Sequence, residues 1–291
     1  MSYELWILLT GSLVGLSCGI VGCFLILRKM SMLADAISHT VLLGLVMAFI
    51  VSQSMNGFYM LIGAAVAGLL TTFMVQLLNS SGIQEDAAIG VVFTSLFAVG
   101  VILISLFAKN VHLDVEHALM GEIAFVPWNT LSLPILGDIP KSVVMLGFVL
   151  LLDILIIFLL FKEFKLTSFD PSMAAAIGIP VLAVHYILMG LVSVTTVSAF
   201  DSVGAILVVA MLIAPGATAY LLTDRYKVML LLSGGIGVFD SIIGYYGAKM
   251  FDVSISGAMA VAAGLVFFIV WMLSPKHGLV SRVLNQRLTE E

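Results

Sequence analysis

The feature that most constrains the fold is a series of nine apolar segments, each close to 20 residues long. A helix needs about 20 apolar residues to cross a bilayer, and it satisfies all its backbone hydrogen bonds internally. The chain is 62% hydrophobic and 10% charged, whereas soluble domains are about 45–50% apolar and about 25% charged. The alternating pattern of a membrane β-barrel is absent. We therefore expect an all-α, polytopic transmembrane helix bundle that forms one domain over residues 1–291. The segments are Leu5–Leu27, Leu33–Val51, Phe58–Leu78, Ala87–Ala108, Ser142–Phe161, Val181–Ala199, Val203–Leu222, Val228–Ala248 and Ile255–Leu273.

The sixth and seventh segments are separated only by Phe200–Ser202, so one of them is expected to be broken or re-entrant. The sequence therefore predicts seven to nine spans. The first segment carries glycine at every fourth position, at Gly11, Gly15 and Gly19, and the eighth is also rich in glycine. Small residues at this spacing allow membrane helices to pack closely.

The distribution of Lys and Arg predicts the orientation, because cytoplasmic loops are enriched in both. With the N-terminus outside, nine of the 12 cations lie inside and three lie outside. We expect an outside N-terminus and a cytoplasmic C-terminal tail of about residues 274–291. So few cations, without a basic stripe, exclude nucleic-acid binding. The inner cations are Arg28, Lys29, Lys162, Lys165, Arg225, Lys227, Lys276, Arg282 and Arg287, and the outer ones are Lys109, Lys141 and Lys249.

The second segment carries two ionisable residues, Asp35 and His39, where hydrocarbon makes charge costly. Residues four apart share one face of a helix. A carboxylate oxygen and an imidazole nitrogen are ligands for divalent transition metals such as Mn(II) and Zn(II). Without further information, a metal site and a hydrogen-bonded pair that only satisfies two polar groups are equally good interpretations. Asp153 and Asp240 are further intramembrane acids and weaker metal candidates.

Two connecting loops are longer than the others. The outer loop, Lys109–Lys141, contains His112, Asp114, Glu116 and His117, for which a solvated contact surface is preferred to a metal-entry funnel. In the inner loop, Lys162–Pro180, Asp170 and Pro171 form a helix-start signal, and Gly178 with Pro180 forms a stop signal. A short helix over Pro171–Ile177 is expected, with a small apolar face suited to docking a partner. A plain interfacial helix is the alternative.

No phosphate-binding loop, His-Glu-x-x-His motif or Gly-x-Ser-x-Gly elbow occurs in the chain. If the protein uses ATP, we expect another subunit to hydrolyse it.

Four stretches resemble the manganese/zinc (iron) permease family of ATP-binding-cassette importers. The longest stretch contains Asp-Ala-Ile-Ser-His, which carries Asp35 and His39. Three positions depart from the family pattern: Ala34 replaces Gly, Leu43 replaces Pro and so removes an expected kink, and Ser172 replaces a commonly acidic residue. The stretches are Arg28–Gly44, Ser168–Gly178, Val203–Gly216 and Ser274–Leu279.

The resemblance implies a multi-pass subunit of an importer in a bacterial plasma membrane, and not an enzyme. It implies a second permease copy or paralogue, cytoplasmic ATP-binding subunits and an extracellular metal-binding protein. It also implies no covalently bound cofactor, ATP bound by the partner only, and metal passing Asp35 and His39. Residues of the inner loop would couple the permease to the ATPase, namely Phe169, Asp170, Pro171, Ala175 and Gly178.

Two other functions stay open at this point. A siderophore- or cobalamin-type permease would need a wider pathway and no Asp/His pair on the second span. An intramembrane metalloenzyme would need a third protein ligand and a general base. Mn(II), Zn(II) and Fe(II) all suit one Asp and one His, so the sequence leaves the metal open.

Overall fold

The computed structural model describes residues 3–53, 57–107, 123–133 and 137–274, and these residues form a helical bundle. Nine of their helices are long and apolar enough to span a membrane. The all-α prediction is confirmed, at the upper end of the expected seven to nine spans. Two further α-helices are too short to span a membrane. In chain order the helices are α1 (Tyr3–Leu27), α2 (Ser31–Ser52), α3 (Gly57–Ser80), α4 (Glu85–Phe107), α5 (Lys141–Leu159), α6 (Phe161–Phe169), α7 (Pro171–Ala176), α8 (Val181–Val203), α9 (Ala205–Leu222), α10 (Tyr226–Phe251) and α11 (Ile255–Leu273).

The break between the sixth and seventh spans differs from the prediction. Helix α8 continues through Phe200–Ser202 to Val203, so the predicted end at Ala199 is wrong. The chain turns instead at Gly204, whose φ of 80° is easily adopted only by glycine. Both helices are long enough to cross the membrane, so neither needs to be re-entrant.

Helix α1 lies at the centre of the bundle and packs against α5, α8, α9 and α10. A Cβ atom at Gly15 would overlap the carbonyl group of Gly237 in α10, and one at Gly22 would overlap the Leu212 carbonyl oxygen in α9. The glycines are therefore needed for the close approach of these backbones, which confirms the packing role predicted for the glycine ridge.

A second group of helices forms around α2, which packs against α3 and α4. Helix α2 is continuous through Leu43, as expected where leucine replaces a kinking proline. Thr71 Oγ1 of α3 donates a 2.8 Å hydrogen bond to Thr40 Oγ1. The position of α2 is thus fixed from one side by its neighbours.

One end of the bundle carries a short 3₁₀ helix, Ile123–Trp128, and a two-stranded antiparallel hairpin that the sequence analysis did not predict. Strand β1 is Thr130–Leu133, strand β2 is Gly137–Pro140, and Thr130 pairs with Pro140. At the same end, Lys249 Nζ of α10 lies 2.5 Å from Glu4 Oε1 of α1. The start of α1 and the end of α10 therefore meet on one side of the bundle, opposite to the turn between α1 and α2.

Replacing Gly22 with alanine is expected to destabilise the protein by about 1–3 kcal/mol, because the added methyl group overlaps the Leu212 carbonyl oxygen. Thermal unfolding in detergent micelles measures the effect. Gly147→Ala in α5 is the matched control, since nothing lies within 4 Å of the Cβ position there. Equal unfolding temperatures for the two variants would contradict the packing argument.

Candidate functional site

Helix α2 places Asp35 and His39 side by side on one face. Asp35 Oδ1 and His39 Nε2 lie 3.7 Å apart, which is too long for a hydrogen bond. Neighbouring ligands of one metal ion lie about 3–3.5 Å apart when metal–ligand distances are about 2.1 Å. A small side-chain rotation would therefore let one ion contact both atoms.

The two side chains are accessible, whereas ten of the 22 residues of α2 are buried. Asp35 is 42% exposed and His39 is 33% exposed, whereas Ala36, Ile37 and Thr40 are buried against the bundle. The pair thus lies on the face of α2 that this chain leaves uncovered.

Helix α4 fixes the orientation of the imidazole. The ring centroids of Phe93 and Phe97 lie 5.6 and 5.9 Å from that of His39. Aromatic rings at these centroid distances make favourable offset-stacked or edge-to-face contacts. They restrict the rotation of the His39 ring beside Asp35.

The described residues of one chain do not form a complete metal site. Over residues 3–53, 57–107, 123–133 and 137–274, no three His, Cys, Asp or Glu side chains are grouped so that they could hold a metal ion. The outer-loop residues His112, Asp114, Glu116 and His117 lie outside the described residues. Within the described part, the third protein ligand that a metalloenzyme requires is missing.

The two weaker metal candidates, Asp153 and Asp240, are fully buried in other helices. Thr195 Oγ1 of α8 donates a 2.8 Å hydrogen bond to Asp153 Oδ2, which ties α5 to α8. Asp240 in α10 has no hydrogen-bond partner within the described part of the chain. The structure does not bring either acid into one cluster with Asp35 and His39.

A second candidate element is the α6–α7 segment, Phe161–Ala176, which begins one residue before the predicted inner loop Lys162–Pro180. The predicted short helix is present as α7, and it ends at Ala176, one residue before the predicted Ile177. Asp170 caps it, because Asp170 Oδ1 accepts bonds from Met173 N at 2.9 Å and from Ser172 Oγ at 2.7 Å. Gly178 ends the turn with φ of 88°.

The sequence analysis missed α6, which precedes this cap. The available signal was the three-residue spacing of Phe161, Phe164 and Thr167, and of these Phe164 and Thr167 are buried. With only nine residues, three of them charged, α6 could not be separated from the loop around it.

Aromatic rings hold the α6–α7 segment against the bundle. Phe24 of α1 packs on Phe164 with ring centroids 5.3 Å apart, and Tyr226 of α10 packs on Phe161 at 5.2 Å. On the outer side Met173 and Ile177 are exposed, as is Phe169, although its ring also contacts Tyr226. The segment is thus anchored on one side and presents apolar side chains on the other.

The whole bundle is similar to known membrane transport proteins. The model of the ABC 3 transport family matches residues 2–274. The manganese transport system membrane protein MntD of Bacillus subtilis is 59% identical over 285 residues, covering 98% of this chain and 97% of that protein. The zinc transport system membrane protein TroD of Treponema pallidum is 43% identical, covering 97% of this chain and 77% of that protein.

A solved structure has the same fold. PsaBC from Streptococcus pneumoniae, in complex with Fab, aligns with a TM-score of 0.81 and 35% identity. The alignment covers 99% of this chain and 96% of that chain. The similarity extends over the bundle, α2 and the α6–α7 segment together.

Replacing Asp170 with alanine is expected to speed hydrogen exchange in α7, because the replacement removes the acceptor of the Met173 and Ser172 bonds. Those two bonds lower the pKa of the Asp170 carboxyl. Because the pKa is lowered, the charged cap is present at neutral pH and is lost only as the pH falls through the lowered value. Mass spectrometry of exchanged peptides over Pro171–Gly178 measures the effect.

Asp170→Asn keeps an acceptor oxygen and is the matched control for this variant. Exchange as slow in Asp170→Ala as in the unmodified protein would show that the cap does not hold α7.

Proposed function

The chain belongs to the ABC 3 transport family, and on that premise we propose that it conducts Mn(II), with Zn(II) as the second candidate, as the permease subunit of an ATP-driven importer. As a family member it is a transport protein and not an enzyme, and ATP hydrolysis belongs to a partner subunit. It is a multi-pass protein of a bacterial plasma membrane. The observation that carries the proposal is the accessible Asp35–His39 pair on the face of α2 that this chain leaves uncovered.

Two arguments favour Mn(II) over Zn(II). The manganese-named relative is more similar to this chain than the zinc-named one. A carboxylate with an imidazole suits Mn(II) as well as Zn(II), and no thiolate of the kind that favours Zn(II) stands beside them. Both described cysteines are buried in α1, away from the pair.

The remaining ligands are proposed to come from a second permease chain. One Asp and one His provide two donors, and a second copy whose α2 faces this one would raise the number to four. The uncovered face of α2 supports this arrangement, because a half-exposed acid inside a membrane protein requires a polar partner or water. Asp153 and Asp240 remain weaker candidates for contact with the ion along its path.

The proposed transport cycle uses alternating access. A metal-loaded extracellular protein docks at the N-terminal side of α1, and the ion enters the path between the permease chains. The cytoplasmic ATPase receives Phe169, Asp170, Pro171, Ala175 and Gly178, and its ATP-driven movement pushes on the α6–α7 segment. The bundle then reorients, and the ion passes Asp35 and His39 into the cytoplasm. This cycle requires the outside N-terminus that the Lys and Arg distribution predicts.

Replacing Asp35 or His39 with alanine is expected to lower metal uptake by at least about tenfold, since each change removes half of this chain's ligands. The measurement is accumulation of Mn(II) and Zn(II) in cells that lack their own importers and express this chain with its ATPase and binding protein. The cation that accumulates names the substrate.

Asp252→Asn, at the end of α10, is the control for loss of one carboxylate elsewhere, and co-purification of the ATPase checks assembly. Normal uptake by both α2 variants would refute the proposed path and direct attention to Asp153 or Asp240.

Uptake is also expected to fall as the medium is acidified from about pH 7.5 to about pH 5.5. Metal ligation needs an ionised Asp35 and a neutral His39, so protons compete with the ion. Initial uptake rates measure the effect, and ATP hydrolysis over the same range separates a loss at the site from a loss in the ATPase. An uptake rate that is constant or rises towards acid would contradict metal binding by this pair.

A further inference from the structure

The α6–α7 segment is bounded by two points at which the helical backbone is interrupted. At its start, Leu160 has φ of −103° and ψ of 24° and separates α5 from α6. At its end, Gly178 has φ of 88°, and nothing lies within 4 Å of its Cβ position. Residues with non-helical backbone angles at the ends of helices can act as hinges. These two points allow α6 and α7, which are joined at Asp170, to shift between α5 and α8.

Arg28 connects this segment to the turn between α1 and α2. Its Nε donates a 3.1 Å hydrogen bond to Ser168 Oγ, and its Nη2 donates a 2.7 Å hydrogen bond to Thr167 Oγ1. Burial lowers the pKa of Arg28 to about 10. None of the ion pairs between described residues includes Arg28. The guanidinium is thus held mainly by two hydroxyl groups of the α6–α7 segment.

The turn that carries Arg28 is tight and leads directly into α2. Lys29 adopts φ of 60°, an unfavourable conformation for a residue with a side chain, and Met30 N donates a 2.9 Å hydrogen bond to Leu25 O. Helix α2 begins at Ser31, and Asp35 and His39 lie about one and about two helical turns after that start. A displacement of Arg28 is therefore transmitted along a short, continuous helix to both residues.

An open cavity of about 520 Å³ lies between the α6–α7 segment and helices α2 and α3. Thr167, Ser168 and Pro171 line one wall, and Met30 and Gln76 line another. Because the interior of a protein is otherwise closely packed, this space is where the segment can move relative to α2 and α3.

The aromatic contacts of the segment do not replace the Arg28 connection. Phe164 and Phe161 contact Phe24 and Tyr226, which belong to α1 and α10. These contacts anchor the segment to the centre of the bundle, whereas the Arg28 hydrogen bonds join it to the residue that precedes α2.

We infer that Arg28 is a positioning residue that transmits movement of the α6–α7 segment to α2 and so repositions Asp35 and His39 during transport. The inference rests on the proposed function. Arg28 contacts neither the ion nor the nucleotide, and its effect is on the number of ions moved for each ATP hydrolysed.

The test uses vesicles containing the complete complex of permease, ATPase and binding protein, with Mn(II) uptake and ATP hydrolysis measured on the same preparation. Arg28→Gln is expected to keep basal ATP hydrolysis and to lower the Mn(II) moved per ATP by about tenfold, a typical size for coupling between sites. Arg28→Lys, which keeps a charged donor, should recover part of the loss. Lys29→Gln is the matched control, because it removes the same charge one residue later.

A double-mutant cycle distinguishes this role from a purely structural one. Thr167→Val combined with Ser168→Ala removes the acceptors and leaves Arg28 in place, and it should lower the Mn(II)-to-ATP ratio as Arg28→Gln does. If Arg28 acts through these hydroxyls, the triple variant is no worse than either alone. A triple variant whose loss equals the product of the two losses would overturn the inference.

An unchanged Mn(II)-to-ATP ratio in Arg28→Gln would also overturn the inference. If Arg28→Gln does not assemble with the ATPase, the test rests on the variant that combines Thr167→Val with Ser168→Ala. A normal Mn(II)-to-ATP ratio in that variant would overturn the inference. If the unmodified complex hydrolyses ATP but moves neither Mn(II) nor Zn(II), the proposed function fails and the inference falls with it. Transport by the unmodified complex together with an unaffected Arg28→Gln refutes the inference only.

Discussion

The contact between the backbones of Gly15 and Gly237 determines how the remaining helices are arranged. Lipid chains are as apolar as leucine, so membrane helices associate through close packing and hydrogen bonds rather than through hydrophobic burial. At this contact a side chain on either residue would collide with the opposite backbone. Ser233 and Ser241 of α10 reinforce it with hydrogen bonds of 2.6 and 2.8 Å to carbonyl oxygens of α1. With α1 and α10 fixed in this way, the other helices pack around α1.

Most intramembrane hydroxyl groups near α2 are satisfied within the helices themselves. Ser38 donates to the Ala34 carbonyl at 3.0 Å, and Thr71 Oγ1 lies within hydrogen-bonding distance of the Ala67 carbonyl at 2.7 Å and of Thr40 Oγ1 at 2.8 Å. Asp35 and His39 differ, because neither side chain forms a hydrogen bond within the described part of the chain and the two lie 3.7 Å apart. A bundle that satisfies the neighbouring polar groups internally leaves these two available to an external ligand.

The sequence was sufficient to predict the features that depend on local patterns. Long apolar segments predicted the spans, and the Asp170 and Gly178 signals predicted α7 to within one residue. The features that were missed depend on tertiary packing. Gly204 ends α8 because its backbone turns there, although the polar Phe200–Ser202 stretch was the stronger local signal.

The candidate site shows the same division. The four-residue spacing of Asp35 and His39 predicted their shared face, whereas their exposure depends on which side of α2 is covered by α3 and α4. The rings of Phe93 and Phe97 beside His39, and the bond between Thr195 and Asp153, join segments more than 40 residues apart in the chain. No local pattern could have identified these partners.

The uncovered face of α2 also bears on how long an ion could remain bound. Two donors on one helix make at most half of a coordination shell. Under the proposed function, the time for which an ion stays bound therefore depends on the distance between α2 and the opposing permease chain. Widening that gap would release the ion without protonating or replacing any ligand. An isolated chain would accordingly be a poor metal trap, and unassembled subunits would not sequester the cargo that the assembled transporter delivers.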